Sequence, residues 1–255
     1  MLKRKSQEYL QKYPKVCLFL DYDGTLTKIR KLPELAVLDK NMREILTKLK
    51  NNKKYYLGII SGRELQDVKG LVKLNGLYYS GNHGLEIRGK GINFTHEATE
   101  KTVFLLDELA SKLSENLKDT QAFIEHKGFS LSLHYRNALD EKLVSEIFHQ
   151  TFDAFETTSL QLFQGKKVFE IRPKVNWHKG KAIAKLFNIL DLHSNLGIIF
   201  IGDDRTDEDG FKFVNSLNGL SIHVGKGKNT AARYCLKDTN AVKDFLAFLA
   251  KWSYS

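Results

Sequence analysis

Asp21 and Asp23 stand one residue apart at the end of an apolar run, Val16 to Leu20. On an extended chain, side chains two apart point the same way, so both carboxylates can address one small volume. Gly24 lets the chain turn sharply and Thr25 can hydrogen-bond the turn. Five consecutive apolar residues fit a strand buried on both faces, and open α/β sheets bind ligands at the carboxyl ends of such strands. Acids in this position also serve simply as turn formers. A calcium-binding EF-hand loop begins in the same way, but Thr25 and Leu26 stand where it needs an acid or amide and then a glycine, so that chemistry is excluded.

Three more groups with chemical potential follow. Ser61-Gly62-Arg63 ends a second apolar run and precedes a helical segment from Glu64. Ser61 suits a helix N-cap, and the same geometry offers a hydroxyl and free N–H groups to a phosphate. Lys179 and Lys181 fall in the first turn of a predicted helix, where the macrodipole disfavours cations unless an anion is near. Gly202-Asp203-Asp204 closes another apolar run, with Asp207, Glu208 and Asp209 just beyond. Thr206 with Asp209 resembles a capping box, which accounts for the later acids. Five carboxylates in seven residues nevertheless repel one another, and a hard cation among them fits.

The elements that must carry these groups read as a βαβ-type core with an insertion. Strands are expected at 16–20, 55–60, 76–80, 196–201 and 220–224. A helix at 41–50 joins the first two and makes them parallel. Another runs from 178 to about 190, and two more start near 230 and 240, after a basic loop at 225–228. Between Gly81-Asn82-His83-Gly84 and Pro173 the pattern changes. It gives a short hairpin at 85–94, then a helix at 98–118 with Thr102, Leu106, Leu109, Leu113 and Leu117 on one face. Strands follow at 122–127, 129–136, 159–163 and 167–172, with a helix at 139–149 whose stripe is Leu139, Leu143 and Ile147. The fold class is thus α/β, a doubly wound and mostly parallel core, residues 1–83 and 174–255, with an inserted α+β domain at 84–173. On the insert, Glu125 with Lys127, His134 with Arg136, and Glu170 with Arg172 alternate with apolar residues. They form either an ordinary solvated sheet face or the polar face of a lid that recognises a hydroxyl-rich substrate.

The whole chain bounds the partners. Its 255 residues carry 42% apolar and 27% charged residues, ordinary for a globular protein. The net charge of +10 admits nucleic acid, but the basic residues are scattered in ones and twos and no recognisable nucleic-acid motif occurs, so none is expected. No apolar run is long enough to span a membrane, and the charged first fifteen residues do not read as a signal peptide, which makes a cytoplasmic location the expectation. Cys17 and Cys235 form no metal-type pair.

In order, Asp21-Tyr22-Asp23-Gly24-Thr25, Ser61, Lys179 and Gly202-Asp203-Asp204 with Asp207 resemble the four motifs of the haloacid-dehalogenase-like phosphatase superfamily. Gly81-Asn82-His83-Gly84, Glu125-His126-Lys127, His134-Tyr135-Arg136 and Glu170-Ile171-Arg172-Pro173 extend the resemblance to its trehalose-6-phosphate phosphatases, over nearly the whole chain. The resemblance implies a Rossmann-type core with a cap and a Mg²⁺-dependent hydrolysis of trehalose 6-phosphate through an aspartyl phosphate. It implies Asp21 as nucleophile, Asp23 as general acid and base, and Ser61 and Lys179 on the phosphate. Mg²⁺ would be held by Asp21, the Asp23 carbonyl and Asp203, with Asp204 or Asp207 in support. Glu125, Lys127 and Glu170 would contact the sugar, with Asn82, His83 and Arg136 beside them. The expected partner is a small sugar phosphate. Another sugar phosphate (sucrose 6-phosphate or a glycosyl phosphoglycerate), or a non-catalytic sugar-phosphate sensor or partner subunit, is the alternative. The oligomeric state is left open, with a monomer as the working expectation.

Overall fold

The computed structural model describes residues 1–30, 32–155, 158–191, 195–227 and 229–252. The chain forms two compact units, one of residues 1–94 and 177–255 and the other of residues 95–176.

The first unit contains, in order, α1 (Leu2–Lys12), β1 (Lys15–Leu20), α2 (Lys40–Asn51), β2 (Tyr55–Ile60) and α3 (Leu65–Val72). β3 (Tyr78–Gly81), β4 (Glu86–Gly89) and β5 (Ile92–Thr95) follow. The second unit carries α4 (Ala98–Asn116), β6 (Phe123–His126), β7 (Leu131–His134), α5 (Glu141–Asp153), β8 (Leu160–Gly165) and β9 (Val168–Pro173). The chain then returns to the first unit with α6 (Lys179–Leu190), β10 (Leu196–Gly202), α7 (Glu208–Ser216), β11 (Leu220–Val224), β12 (Tyr234–Leu236) and α8 (Thr239–Ala250).

The first unit is built on an eight-stranded sheet in the order β12-β11-β10-β1-β2-β3-β4-β5. It is parallel from β12 to β3, and β4 joins antiparallel. The uninterrupted apolar run of β1 is explained by its two faces. Val16, Leu18 and Leu20 pack with α2, α3 and α8, while Cys17 and Phe19 pack with α6 and α7 on the other side. β1 lies between β10 and β2, so the carboxyl ends of three strands meet at the centre of the sheet.

The second unit is an antiparallel sheet, β6-β7-β9-β8, with α4 and α5 on one face. Leu131, Leu133, Phe169 and Ile171 point into that core, where the Phe148 and Phe169 rings stack at 4.2 Å. The expected stripe of α4 is all buried.

Several expectations need correction. The hairpin expected within the insert supplies β4 and β5 to the core sheet, so the units part at 94/95 and 176/177 and not at 83/84 and 173/174. α5 buries Val144, Phe148, Thr151 and Phe152, leaving Leu139 78% exposed and Leu143 half-exposed. The expected stripe follows Leu139, Leu143 and Ile147, but the helix starts at Glu141, beyond Leu139, behind an Asp140 cap. No helix starts near 230. Residues there form a loop leading into the short strand β12, and Lys228 of the basic loop lies outside the described residues. α1 was not expected. Its buried stripe includes Ser6, whose hydroxyl returns to the Leu2 carbonyl at 2.9 Å. Among the described residues no helix is long and apolar enough to cross a membrane.

Candidate active site

Asp21 follows β1 directly and is 3% exposed. Its backbone N–H donates to the Ile201 carbonyl of β10, continuing the ladder that brings the Asp203 strand end alongside. The intervening turn depends on Gly24. It has φ of 79°, and a Cβ there would lie 1.9 Å from Asp203 Oδ2, so only glycine lets the two strand ends approach.

Lys179, first residue of α6, extends into this space and is as buried as Asp21. Its Nζ donates to Asp21 Oδ1 at 2.7 Å and to Asp207 Oδ1 at 2.8 Å. The other oxygen of Asp207 accepts the backbone N–H groups of Asp203 and Asp204 at 3.1 and 3.0 Å. Asp207 therefore fixes the turn after β10 and aims the ammonium at Asp21. The capping box of this turn is Asp204 with Asp207, in place of the expected Thr206 and Asp209. Asp204 is exposed, and its carboxylate accepts the Arg205 N–H. It stays outside the cluster of Asp21, Asp203 and Asp207, whose oxygens come within 4.8 Å of one another.

Burial pushes the Asp21 carboxyl well above the usual range; Lys179 opposes this, and Asp207 and Asp203 add to it. Burial, then Asp207, pushes Asp203 up to about 7. Burial alone would lower Lys179, but the Asp207 and Asp21 carboxylates outweigh it and hold the ammonium above the ordinary lysine range. Two carboxylates thus share one ammonium, with the Asp203 carboxylate beside them. Asp21 Oδ2 and Asp203 Oδ1 are buried and receive no hydrogen bond.

Ser61 and Asp23 flank the cluster in sequence order but are held differently. Ser61 is buried at the end of β2, where its N–H donates to the Ser80 carbonyl. It is not the α3 cap, a position taken by Glu64; its Oγ instead accepts the Arg63 N–H at 3.1 Å, leaving its own hydrogen to donate elsewhere. Asp23 is more open, and both its oxygens accept from Arg63: Nε to Oδ2 at 2.6 Å and Nη2 to Oδ1 at 2.8 Å. Asn82 and His83 form a tight turn after β3 with φ of 48° and 54°. Their N–H groups donate to the Arg63 and Ser61 carbonyls, so this strained turn braces the Ser61 loop.

In the second unit, the sheet face opposite α4 and α5 carries a cross-strand row of Glu125, Ser132, Glu170 and Phe163. Glu125 accepts from His134 Nε2 at 3.0 Å and lies 3.3 Å from Lys127 Nζ. Lys127 also donates to Ser132, and Arg172 donates to Glu170 at 2.6 Å while covering the Phe163 ring. Phe123 and Phe163 are exposed apolar plates on this polar face. Arg136 is exposed and donates to the Lys166 carbonyl, outside the Glu125 network.

Comparison with known proteins gives this geometry a family. The trehalose-phosphatase family profile matches residues 19–240. The chain belongs to the trehalose-phosphatase family. It is therefore a phosphoric monoester hydrolase by family. It is 39% identical over 253 residues to "Probable trehalose-phosphate phosphatase I" of Arabidopsis thaliana, across 93% of this chain and 68% of that relative. Its fold is similar to the C-terminal domain of the C. albicans trehalose-6-phosphate phosphatase, with a TM-score of 0.79 at 23% identity over 100% and 99% of the two chains. It is also similar to a haloacid dehalogenase-like hydrolase from Bacteroides thetaiotaomicron, with a TM-score of 0.66 at 15% identity over 92% and 99%. The core thus has the haloacid-dehalogenase-like fold.

For a trehalose-phosphatase family member, the donor set fits a hard divalent cation. It is all oxygen, with two buried carboxylate oxygens lacking any hydrogen-bond donor and one ammonium against three acids. Arg63 stands within the Ser61-Gly62-Arg63 motif, where the sequence assigns it no task. Its signal is present: a cation three residues beyond a strand end that faces acids.

Proposed function

We propose that this protein hydrolyses trehalose 6-phosphate to trehalose and phosphate through an aspartyl phosphate on Asp21. The observation that carries the reading is the buried junction of Asp21, Lys179, Asp207 and Asp203 at the carboxyl ends of β1 and β10. It is a nucleophilic carboxylate with a cation beside it and oxygens to hold a second one.

An Asp21 carboxylate oxygen attacks phosphorus. The bond from phosphorus to the sugar oxygen breaks, its electron pair leaves with that oxygen, and Asp23 supplies the proton. Water then attacks the aspartyl phosphate. Asp23 takes the water's proton, the bond between phosphorus and the Asp21 oxygen breaks, and inorganic phosphate and free Asp21 are restored. Lys179 and the Ser61 hydroxyl offset negative charge on the phosphoryl oxygens as it develops. Mg²⁺ would be held by Asp21 and Asp203, with the Asp23 carbonyl as a further oxygen and Asp207 fixing the loop; it would supply charge neutralisation between phosphate and nucleophile.

The second unit would read the sugar. Glu125 and Glu170 offer carboxylate acceptors to hydroxyls, Lys127 a donor, and Phe163, beside Glu170 at the end of the row, an apolar plate. Asn82 and His83, at the turn that braces Ser61, would lie on the sugar side of the phosphate. Residues 95–176 would act as the cap of the site, and a cytoplasmic location suits such a substrate.

Phosphate release from trehalose 6-phosphate, sucrose 6-phosphate, glucose 6-phosphate and p-nitrophenyl phosphate, with Mg²⁺ and with chelator, tests this. A strong Mg²⁺-dependent preference for trehalose 6-phosphate is expected. Preference for another sugar phosphate would discard the substrate, and no release from any would discard the catalytic reading.

A further inference from the structure

Asp23 has no strand to hold it. It follows β1 by three residues, where its backbone bridges to Thr27, and its side chain is 37% exposed. Arg63 restrains the carboxylate. Its side chain is only 10% exposed, and it meets Asp23 with two parallel bonds from Nε and Nη2. The guanidinium is itself held on every edge: Nη1 donates to Asp67 in the first turn of α3 at 2.7 Å, and Nη2 also donates to the Pro33 carbonyl at 2.8 Å. Its plane lies 5.5 Å from the Tyr22 ring, and the Tyr22 hydroxyl ties the same loop through the Ala36 carbonyl at 2.7 Å. The fork thus joins the β1 turn, the loop at 26–38 and α3 at one point.

We infer that Arg63 is the positioning residue of Asp23, fixing the carboxylate that passes protons in both half-reactions; this rests on the acid–base reading of Asp23 given above. A carboxylate has about four acceptor positions, and the fork uses one on each oxygen. The remaining two stay open to the leaving sugar oxygen and then to water. A lysine offers a point charge without a planar fork, so it would hold the group near but not in one orientation.

Leaving-group dependence separates positioning from a merely structural role. Expelling a sugar alkoxide needs the acid, whereas p-nitrophenolate leaves without it, and hydrolysis of the aspartyl phosphate needs the base in either case. Arg63→Gln, Arg63→Lys and Asp23→Asn are compared in the full chain with Mg²⁺, by stopped-flow and steady-state kinetics. On trehalose 6-phosphate, Arg63→Gln is expected to lower kcat by roughly 10- to 1,000-fold, within the range of general acid–base catalysis, with KM little changed. On p-nitrophenyl phosphate it should give a burst of one nitrophenol per enzyme, then slow turnover. Arg63→Lys should fall between, and added methylguanidinium should partly restore Arg63→Gln.

Equal loss on both substrates without a burst, or unchanged kcat in Arg63→Gln, would overturn the inference. If Arg63→Gln does not fold, Arg63→Lys carries the same comparison. Full activity in Asp23→Asn would instead overturn the acid–base reading itself, whatever Arg63 does.

Discussion

Replacing Lys179 by methionine keeps most of the side chain's volume and removes only the ammonium. That ammonium donates to Asp21 at 2.7 Å and Asp207 at 2.8 Å, with all three side chains no more than 5% exposed. Each buried oxygen stripped of its donor costs about 1–3 kcal/mol, and breaking a buried ionic group by deleting one partner costs about 3–5 kcal/mol. The two routes agree, so we expect Lys179→Met to lose about 3–5 kcal/mol in chelator at neutral pH. For a protein of this size that lowers the melting temperature by roughly 6–20 °C. Urea and thermal unfolding in chelator measure it, with Asp207→Asn and the double variant completing a cycle. The double variant should lose less than the sum of the two single losses, because neutralising Asp207 relieves part of the uncompensated charge. A Lys179→Met loss within about 0.5 kcal/mol, the level of an ordinary surface change, would refute the argument. So would strict additivity.

Mg²⁺ at about 100 times its dissociation constant should stabilise the parent by roughly 2.7 kcal/mol through linkage, and Asp203→Asn should lose most of that gain in a melting series with and without the ion. Burial raises the Glu125 carboxyl, but its hydrogen bond from His134 and the Lys127 charge prevail and hold it below the ordinary value. Its stabilising contribution is therefore complete above the ordinary carboxyl range and is lost as pH falls below it, so Glu125→Gln should flatten the acid limb of the unfolding curve. An unchanged acid limb would contradict this. Val144→Ser should cost about 1–3 kcal/mol, whereas Leu143→Ser should change stability by less than about 0.5, as urea unfolding will show.

Much of this site is legible in the chain because parallel strands announce themselves. Beyond the exposed Lys15, β1, β2 and β10 hold only apolar residues and glycine since both their faces are covered, and polar residues follow at their carboxyl ends. Asp21, Ser61 and Asp203 could be picked out for that reason, and Lys179 by its place in the first turn of a helix, where a cation calls for an anion nearby. What the sequence hid follows from two kinds of ambiguity. Asp204 and Asp207 are equivalent in type and close in sequence; only the turn after β10 decides which of them points inward, and it turns Asp207 toward Lys179 while Asp204 caps. In α5, leucines and their neighbours give two overlapping stripes, and the true one is chosen by where Asp140 starts the helix. Likewise the β4–β5 hairpin has no marker of the sheet it joins. Its assignment to the core depends on pairing with β3.

The sheet order has a consequence for how the molecule comes into being. β1 leads directly into Asp21, the proposed nucleophile, yet its neighbour β10 begins at Leu196, on the far side of the whole intervening unit. As the chain emerges from a ribosome, residues 95–176 are continuous and can acquire their core as soon as they are made. β1 must meanwhile wait, with one edge unpaired, until the residues from Leu196 onward have been synthesised. The candidate site therefore forms at a late long-range closure, with its cost in loop entropy. Chains interrupted before β10 would carry a finished second unit beside an exposed apolar strand, and this is the species a chaperone would have to shield.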